Sequence, residues 1–327
     1  MDRVPLGRTG LVVTRLGLGL AALGRPGYID LGRGADLGPE RGVATLERRA
    51  HEVLDAAMQA GIRYIDAARS YGRAEAFLAS WLDARGLGRA DVTVGSKWGY
   101  KYTANWRTDA DVHEVKDHSV AALRRQVAES RQLLGDRLAL YQIHSATLES
   151  GVLEDRAVLE ELARLREEGL AIGLSVSGPR QAETIRRALE VDVDGANPFG
   201  AVQATWNLLE PSAGDALAQA HDVGWGIIVK EAMANGRLGP RGDEAAHAIL
   251  GPIGRVQGVG DDAVAIGAAL ANPWADVVLS GAVTPEQVRG NASGVGALLD
   301  PDEFSGFTGL SEPADAYWRH RSALPWS

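Results

Sequence analysis

With 327 residues, 45% of them apolar, the chain can bury a sizeable core, yet no run approaches the roughly 18 uninterrupted apolar residues of a membrane span. A net charge of -9, from 34 basic and 43 acidic side chains, argues against nucleic acid, whose phosphate backbone needs a basic face. There is no cysteine, and the start, MDRVPLGRTG, lacks the charged-then-apolar layout of a secretory leader, so the cytoplasm is the expected address.

Short extended pieces at 3–6 and 12–14 flank a Gly-Arg-Thr-Gly turn and predict a hairpin. Residues 16–20 form the first apolar run. The stretch 21–42 is rich in glycine and has no helical period, so it is expected as a long loop, an element that often carries function in a compact domain. Residues 46–60 place Val53, Leu54, Ala57 and Met58 at helical spacing, and Gly61 stands in the usual stop position.

From there one theme repeats: a short apolar run, a polar residue at its carboxyl end, a loop, then an amphipathic stretch. The runs are 62–65, 92–95, 138–143, 171–174, 201–204, 226–229 and 277–279, and with 16–20 they make eight. Helical stretches follow most of them, as at 119–134, 157–168, 180–190 and 262–271. Alternating strands and helices predict parallel pairing, and eight units predict an α/β fold of the (β/α)8 TIM barrel type, one domain over residues 1–327. A doubly wound sheet is the rival, but no Gly-x-Gly-x-x-Gly follows the first strand to hold a dinucleotide there.

Asp66, Lys97, His144, Ser175, Gln203 and Lys230 each fall at or near the end of a different run. In a parallel barrel those ends share the face that carries active sites, so six scattered positions converge on one mouth. Longer gaps, from Lys97 to His144 and from Lys230 to Gly281, mark insertions after the third and seventh strands that overhang it.

The stretch GIRYIDAARSYGRAE, 61–75, carries an acid at the end of a strand and a phenol five residues later. It resembles the signature of the aldo-keto reductases at Gly61, Arg63, Asp66, Ala68, Tyr71, Gly72 and Glu75. The resemblance implies a catalytic tetrad of Asp66, Tyr71, Lys97 and His144. A phenol is a poor acid at neutral pH; a nearby cation eases its ionisation, and a buried cation needs a counter-charge. Lys97 and Asp66 suit those roles, and His144 suits orientation of a carbonyl or help in the proton transfer. Alone, each has a plainer explanation: Asp66 as a helix cap, His144 as a structural histidine, Tyr71 as a loop aromatic, Lys97 as a solvated strand end. Four residue types at four strand ends in the family's order favour the tetrad.

The resemblance also implies a nicotinamide cofactor, with NADP(H) first and NAD(H) close behind. Ser175 and Gln203 match the partners of the nicotinamide carboxamide, although Val176 replaces an expected Asn. Trp206 takes the place of a stacking Tyr, or is a core aromatic. KEAMANGRL matches the loop that wraps the pyrophosphate, with Lys230 and Gly236 as contacts. Gly281 to Asn291 matches the adenosine segment, with Asn291 at the adenine, while Thr284 and Pro285 also read as a helix start. Where NADP-preferring members place cations, this chain has Gly281, Val283 and Gln287, with Arg289 nearest.

A small carbonyl or alcohol is the implied substrate. Trp98, Tyr100, Tyr102 and Trp106 could wall it or simply pack; the tail from Pro313 could close the mouth or join a homo-oligomer interface. Two other classes stand beside the enzyme: a cofactor-sensing subunit like the potassium-channel partners in the resembled family, and a metal-dependent barrel. For the second, one Asp, one His, two Lys, a Ser and a Gln make a poor ligand set for a hard cation, and no metal site is expected.

Overall fold

Each apolar run pairs in parallel with its neighbours, and the eighth closes on the first. A computed structural model describes residues 1–29, 31–297 and 307–326. The barrel strands are β3 (Leu16–Gly19), β4 (Tyr64–Asp66), β5 (Thr93–Trp98), β8 (Leu138–Ala146), β9 (Ala171–Val176), β10 (Ala201–Thr205), β11 (Gly226–Lys230) and β12 (Val277–Ser280). They run round in that order, and β12 pairs with β3 through Leu279 and Gly17. β4, β10 and β12 are buried from end to end and each of the others at all but one residue, as expected of parallel strands between a packed lumen and a ring of helices.

The hairpin forms as expected, from β1 (Arg3–Pro5) and β2 (Val12–Thr14), with Arg3 opposite Thr14. Its Leu6, Leu11 and Val13 pack with Tyr64, Leu140 and Ile228 and plug the floor of the barrel. Gly7 is needed there: its φ is 49°, and a Cβ would lie 2.3 Å from the Gly226 nitrogen.

The outer layer follows the predicted helical stretches to within a few residues. It includes α2 (Val43–Gln59), α3 (Ala74–Arg85), α4 (Val120–Leu134), α5 (Arg156–Glu167), α6 (Gln181–Leu189) and α7 (Gly214–Asp222). Ser119 caps α4 by accepting from Ala122 N, and Asp155 caps α5 by accepting from Ala157 N and Val158 N. After β11 come α8 (Glu244–Gln257) and α9 (Asp261–Leu270), and after β12 comes α10 (Pro285–Ser293), capped by Thr284 with Pro285 in its first turn. A last helix, α11 (Ala314–Ser322), lies in the tail. Among the described residues, no helix is long and apolar enough to cross a membrane.

Two rim segments complete the mouth. The stretch expected as a plain loop contains a five-residue helix, α1 (Arg33–Leu37), too short to show a period in sequence. Arg33 of α1 is buried and donates to the carbonyls of Ala22, Pro26 and Arg25, which folds the loop upon itself. The insertion after β5 forms an antiparallel ribbon of β6 (Tyr100–Tyr102) and β7 (Glu114–Lys116).

Candidate active site

Asp66 ends β4, and Lys97 lies one residue before the end of the adjoining β5. Both side chains are buried and form an ion pair, and Lys97 Nζ also donates to Ala67 O at 3.0 Å. The other carboxylate oxygen, Oδ1, accepts from Gln203 Nε2 at 3.0 Å and Gln142 Nε2 at 3.3 Å. A buried charge survives only when paired and hydrogen-bonded, and this pair meets both conditions.

Tyr71 sits above them on a turn held by Tyr71 N to Ala68 O and Arg73 N to Gly24 O. Gly72 makes the turn possible: its φ is 60°, and a Cβ would meet Gly24 O at 2.5 Å. The ring of Tyr71 has Lys97 Nζ and Arg25 Cζ each 5.1 Å from its centroid. Its Oη is 3.5 Å from His144 Nε2, with the two rings edge to face. His144 Nδ1 lies 3.3 Å from Ser70 Oγ.

Burial, followed by the charge of Asp66, holds the Tyr71 phenol well above its ordinary value, with Arg25 pulling the other way. The easing by Lys97 that the residue types suggest would come from an ammonium 5.1 Å from the ring centroid, which Asp66 holds in an ion pair. Burial and the cations Lys97, Arg25 and Lys230 keep His144 well below the usual histidine range, so its imidazole is neutral at neutral pH.

A cleft of about 1270 Å³, open solvent included, runs from Tyr71 and His144 past Ser175, Gln203 and Lys230 to Gly236, Ser280 and Gly281. Lys230 Nζ donates to Thr205 Oγ1 at 2.7 Å, and burial lowers its pKa to about 8. Burial works to raise Glu231, but Arg321 and Lys230 hold its carboxyl down to about 2. Among the described residues, no three His, Cys, Asp or Glu side chains are grouped to hold a metal ion.

Other sequence candidates fall outside the lining. Trp206 packs edge-on against Trp274, with ring centroids 5.9 Å apart, and not across the cleft. Gln203 points into the lumen, while Trp206 lies just past the end of β10 with its ring packed beside Trp274. Trp98 follows the inward Lys97 and is buried against His118. Trp106 donates from Nε1 to Arg41 O and packs on Phe77. Gln287 accepts from Val283 N and donates to Asp36 Oδ2 at 2.7 Å, while Arg289 pairs with Glu286 on the surface. Asn291 donates to Ser280 Oγ behind the cleft wall.

The model of the aldo/keto reductase family matches residues 15–312. The chain belongs to that family. It is 28% identical to pyridoxal 4-dehydrogenase of Microbacterium luteolum, over 93% of this chain and 95% of that protein. It is also 28% identical to D-threo-aldose 1-dehydrogenase of a Pseudomonas species, over 70% and 68% respectively. The holo form of an aldo-keto reductase from Bacillus halodurans shares the fold, with a TM-score of 0.73 at 22% identity over 96% of this chain and 97% of that one.

This aldo-keto reductase is therefore an enzyme of the NAD(P)(H)-dependent oxidoreductase kind. Its cleft suits a dinucleotide. Asn235 Oδ1, beside Gly236 in the lining, is buried without a hydrogen-bond partner among the described residues, and nothing lies within 4 Å of where a Cβ on Gly281 would stand. Ser175 and Gln203 would meet the nicotinamide end, Lys230 and the loop to Gly236 the pyrophosphate, and Gly281 the adenosine side. Sequence reasoning passed over Ser70, Arg25 and Glu114, and it named Trp326 only as part of a tail that could close the mouth or join an interface. Ser70 adjoins Tyr71 in the signature and could have been marked; the others come from aperiodic rim segments with no pattern to betray them.

Proposed function

We propose that this aldo-keto reductase interconverts an aldehyde or ketone with the corresponding alcohol, Tyr71 exchanging the proton at oxygen. The observation that carries this is the meeting of Tyr71 Oη and His144 Nε2 in the cleft above the buried Asp66–Lys97 pair. A bound nicotinamide dinucleotide would donate or accept the hydride. In the tautomer in which the Ser70 hydroxyl donates to Nδ1, His144 carries its hydrogen on Nε2 and can hold the substrate oxygen together with Tyr71. Two such donors favour the charge that grows on that oxygen during reduction. Burial keeps Tyr71 protonated, the state reduction uses, and an alkoxide is a far stronger base than a phenolate. The relatives' names support a small substrate reacting at a carbonyl or alcohol carbon.

Of the two cofactors, NAD(H) fits better than the NADP(H) that the resemblance put first. The cations near the adenosine segment are already paired, Arg289 with Glu286 and Arg241 with Asp36. Gln287 binds the Asp36 carboxylate, a group suited to accept from ribose hydroxyls and repel a 2'-phosphate.

Tyr71→Phe should lower turnover by about 100- to 10,000-fold while leaving dinucleotide affinity within about twofold. Unchanged turnover would remove Tyr71 from the chemistry.

A further inference from the structure

Arg25 is 2% exposed, yet it lines the cleft beside Tyr71. Its Nη1 donates to Glu114 Oε2 at 2.9 Å and to Ser70 O at 3.3 Å. Its Nε makes no hydrogen bond among the described residues. The guanidinium lies among three rings, with Cζ 5.0 Å from the centroid of Tyr28, 5.1 Å from Tyr71 and 4.8 Å from Trp326. These groups come from separate parts of the chain: Arg25 from the first-strand loop, Glu114 from β7 and Trp326 from the tail.

A buried guanidinium with an unused N–H is costly to fold, and here the Arg25 side chain lies next to the reacting phenol. Resting on the reading that Tyr71 protonates a carbonyl oxygen, we propose that Arg25 and Glu114 form the substrate subsite for neighbouring hydroxyl groups. The substrate class is then a small, neutral, hydroxylated carbonyl compound.

Charge and shape select that class. Glu114 offsets Arg25, so a carboxylate or phosphate on the substrate gains little from the arginine and meets the glutamate. An apolar substituent leaves Nε–H without an acceptor. A hydroxyl next to the carbonyl accepts from Arg25, and the next one donates to Glu114. Trp326, stacked at 3.9 Å on His113, supplies a fixed flat wall for the C–H side of the same molecule.

The test compares kcat/KM for glyceraldehyde, propanal and succinic semialdehyde, which share an aldehyde and differ in hydroxyl and carboxylate content. The wild type should prefer glyceraldehyde to both by about 100-fold, the value of a hydrogen bond to a charged group. Arg25→Met should erase that preference, cutting glyceraldehyde about 100-fold more than it cuts propanal. Glu114→Gln lies on the half-exposed ribbon and keeps the test sound if the arginine variant folds poorly; it should cut glyceraldehyde about tenfold, mostly through KM. Propanal or succinic semialdehyde as the better wild-type substrate overturns the proposal, as does an equal loss on all three in either variant. Dinucleotide binding with no turnover of any of them sinks the proton-transfer reading itself, and this one with it.

Discussion

Two strand-end lysines share one cleft and have opposite surroundings. Lys97 is sealed, with its ammonium against Asp66 and the carboxylate's other oxygen occupied by Gln142 and Gln203. Lys230 is 16% exposed, lies 4.0 Å from Glu231 and bonds to a neutral hydroxyl, while Arg321 takes most of the Glu231 charge through a 2.8 Å contact from Nε. The first lysine has spent its charge inside the protein; the second still has charge to offer an anion. Position at a strand end sets where a cation sits, and its counter-charges decide what it can do.

Removing each lysine should break this contrast most visibly. Lys97→Met strands the Asp66 charge and should lower stability by about 3–5 kcal/mol, read by denaturant unfolding. Lys230→Met removes a charge that burial disfavours, so it should not lower stability, and it should weaken dinucleotide binding about tenfold in a fluorescence titration, a loss typical of a charge-assisted contact. Equal stability losses would show that both lysines are structural.

A pH series sharpens the same contrast. Burial lowers Lys230 to about 8, so it is charged below that value and neutral above. Dinucleotide affinity should therefore fall as pH rises through about 8, and binding near pH 8 should take up a proton, measurable by calorimetry in buffers of different ionisation heat. Stability of the free protein should move the other way over the next two units, because the folded state binds fewer protons there than the unfolded chain. Lys230→Met should flatten both trends. The smallest effect is at the carboxylate bound by Gln287: Asp36→Asn should bring NADPH affinity towards that of NADH by a few fold, about 1 kcal/mol. A preference for NADPH already present in the wild type would overturn the assignment of Asp36.

The barrel was legible because it follows from periodicity, and so was the single mouth on which its strand-end residues meet. Six of the eight runs ended on or near polar residues, and the parallel rule put Asp66, Lys97 and His144 on one face. Strand alternation should have moved Trp98 to the outer side, since it follows the inward Lys97. Arg25, Glu114 and Trp326 could not be read in this way. They meet only because an aperiodic loop, an insertion and the tail fold over one mouth, and tertiary packing alone fixes that meeting.

The first-strand loop and the seventh-strand loop are tied together at the rim. Asn235 Nδ2 donates to Ile29 O at 2.9 Å, Leu31 N donates to Asn235 O at 3.0 Å, and Arg241 pairs with Asp36. Ile29 and Asn235 both line the cleft, so the tie crosses its edge. A long ligand lying under it cannot leave sideways without breaking these bonds, whereas a small molecule beside Trp326 can come and go. A dinucleotide held under the tie would be a fixed tenant beside a passing visitor: it would be reset in place only by a substrate of the opposite oxidation state, and otherwise the pace of the whole cycle would follow how often the rim unfastens.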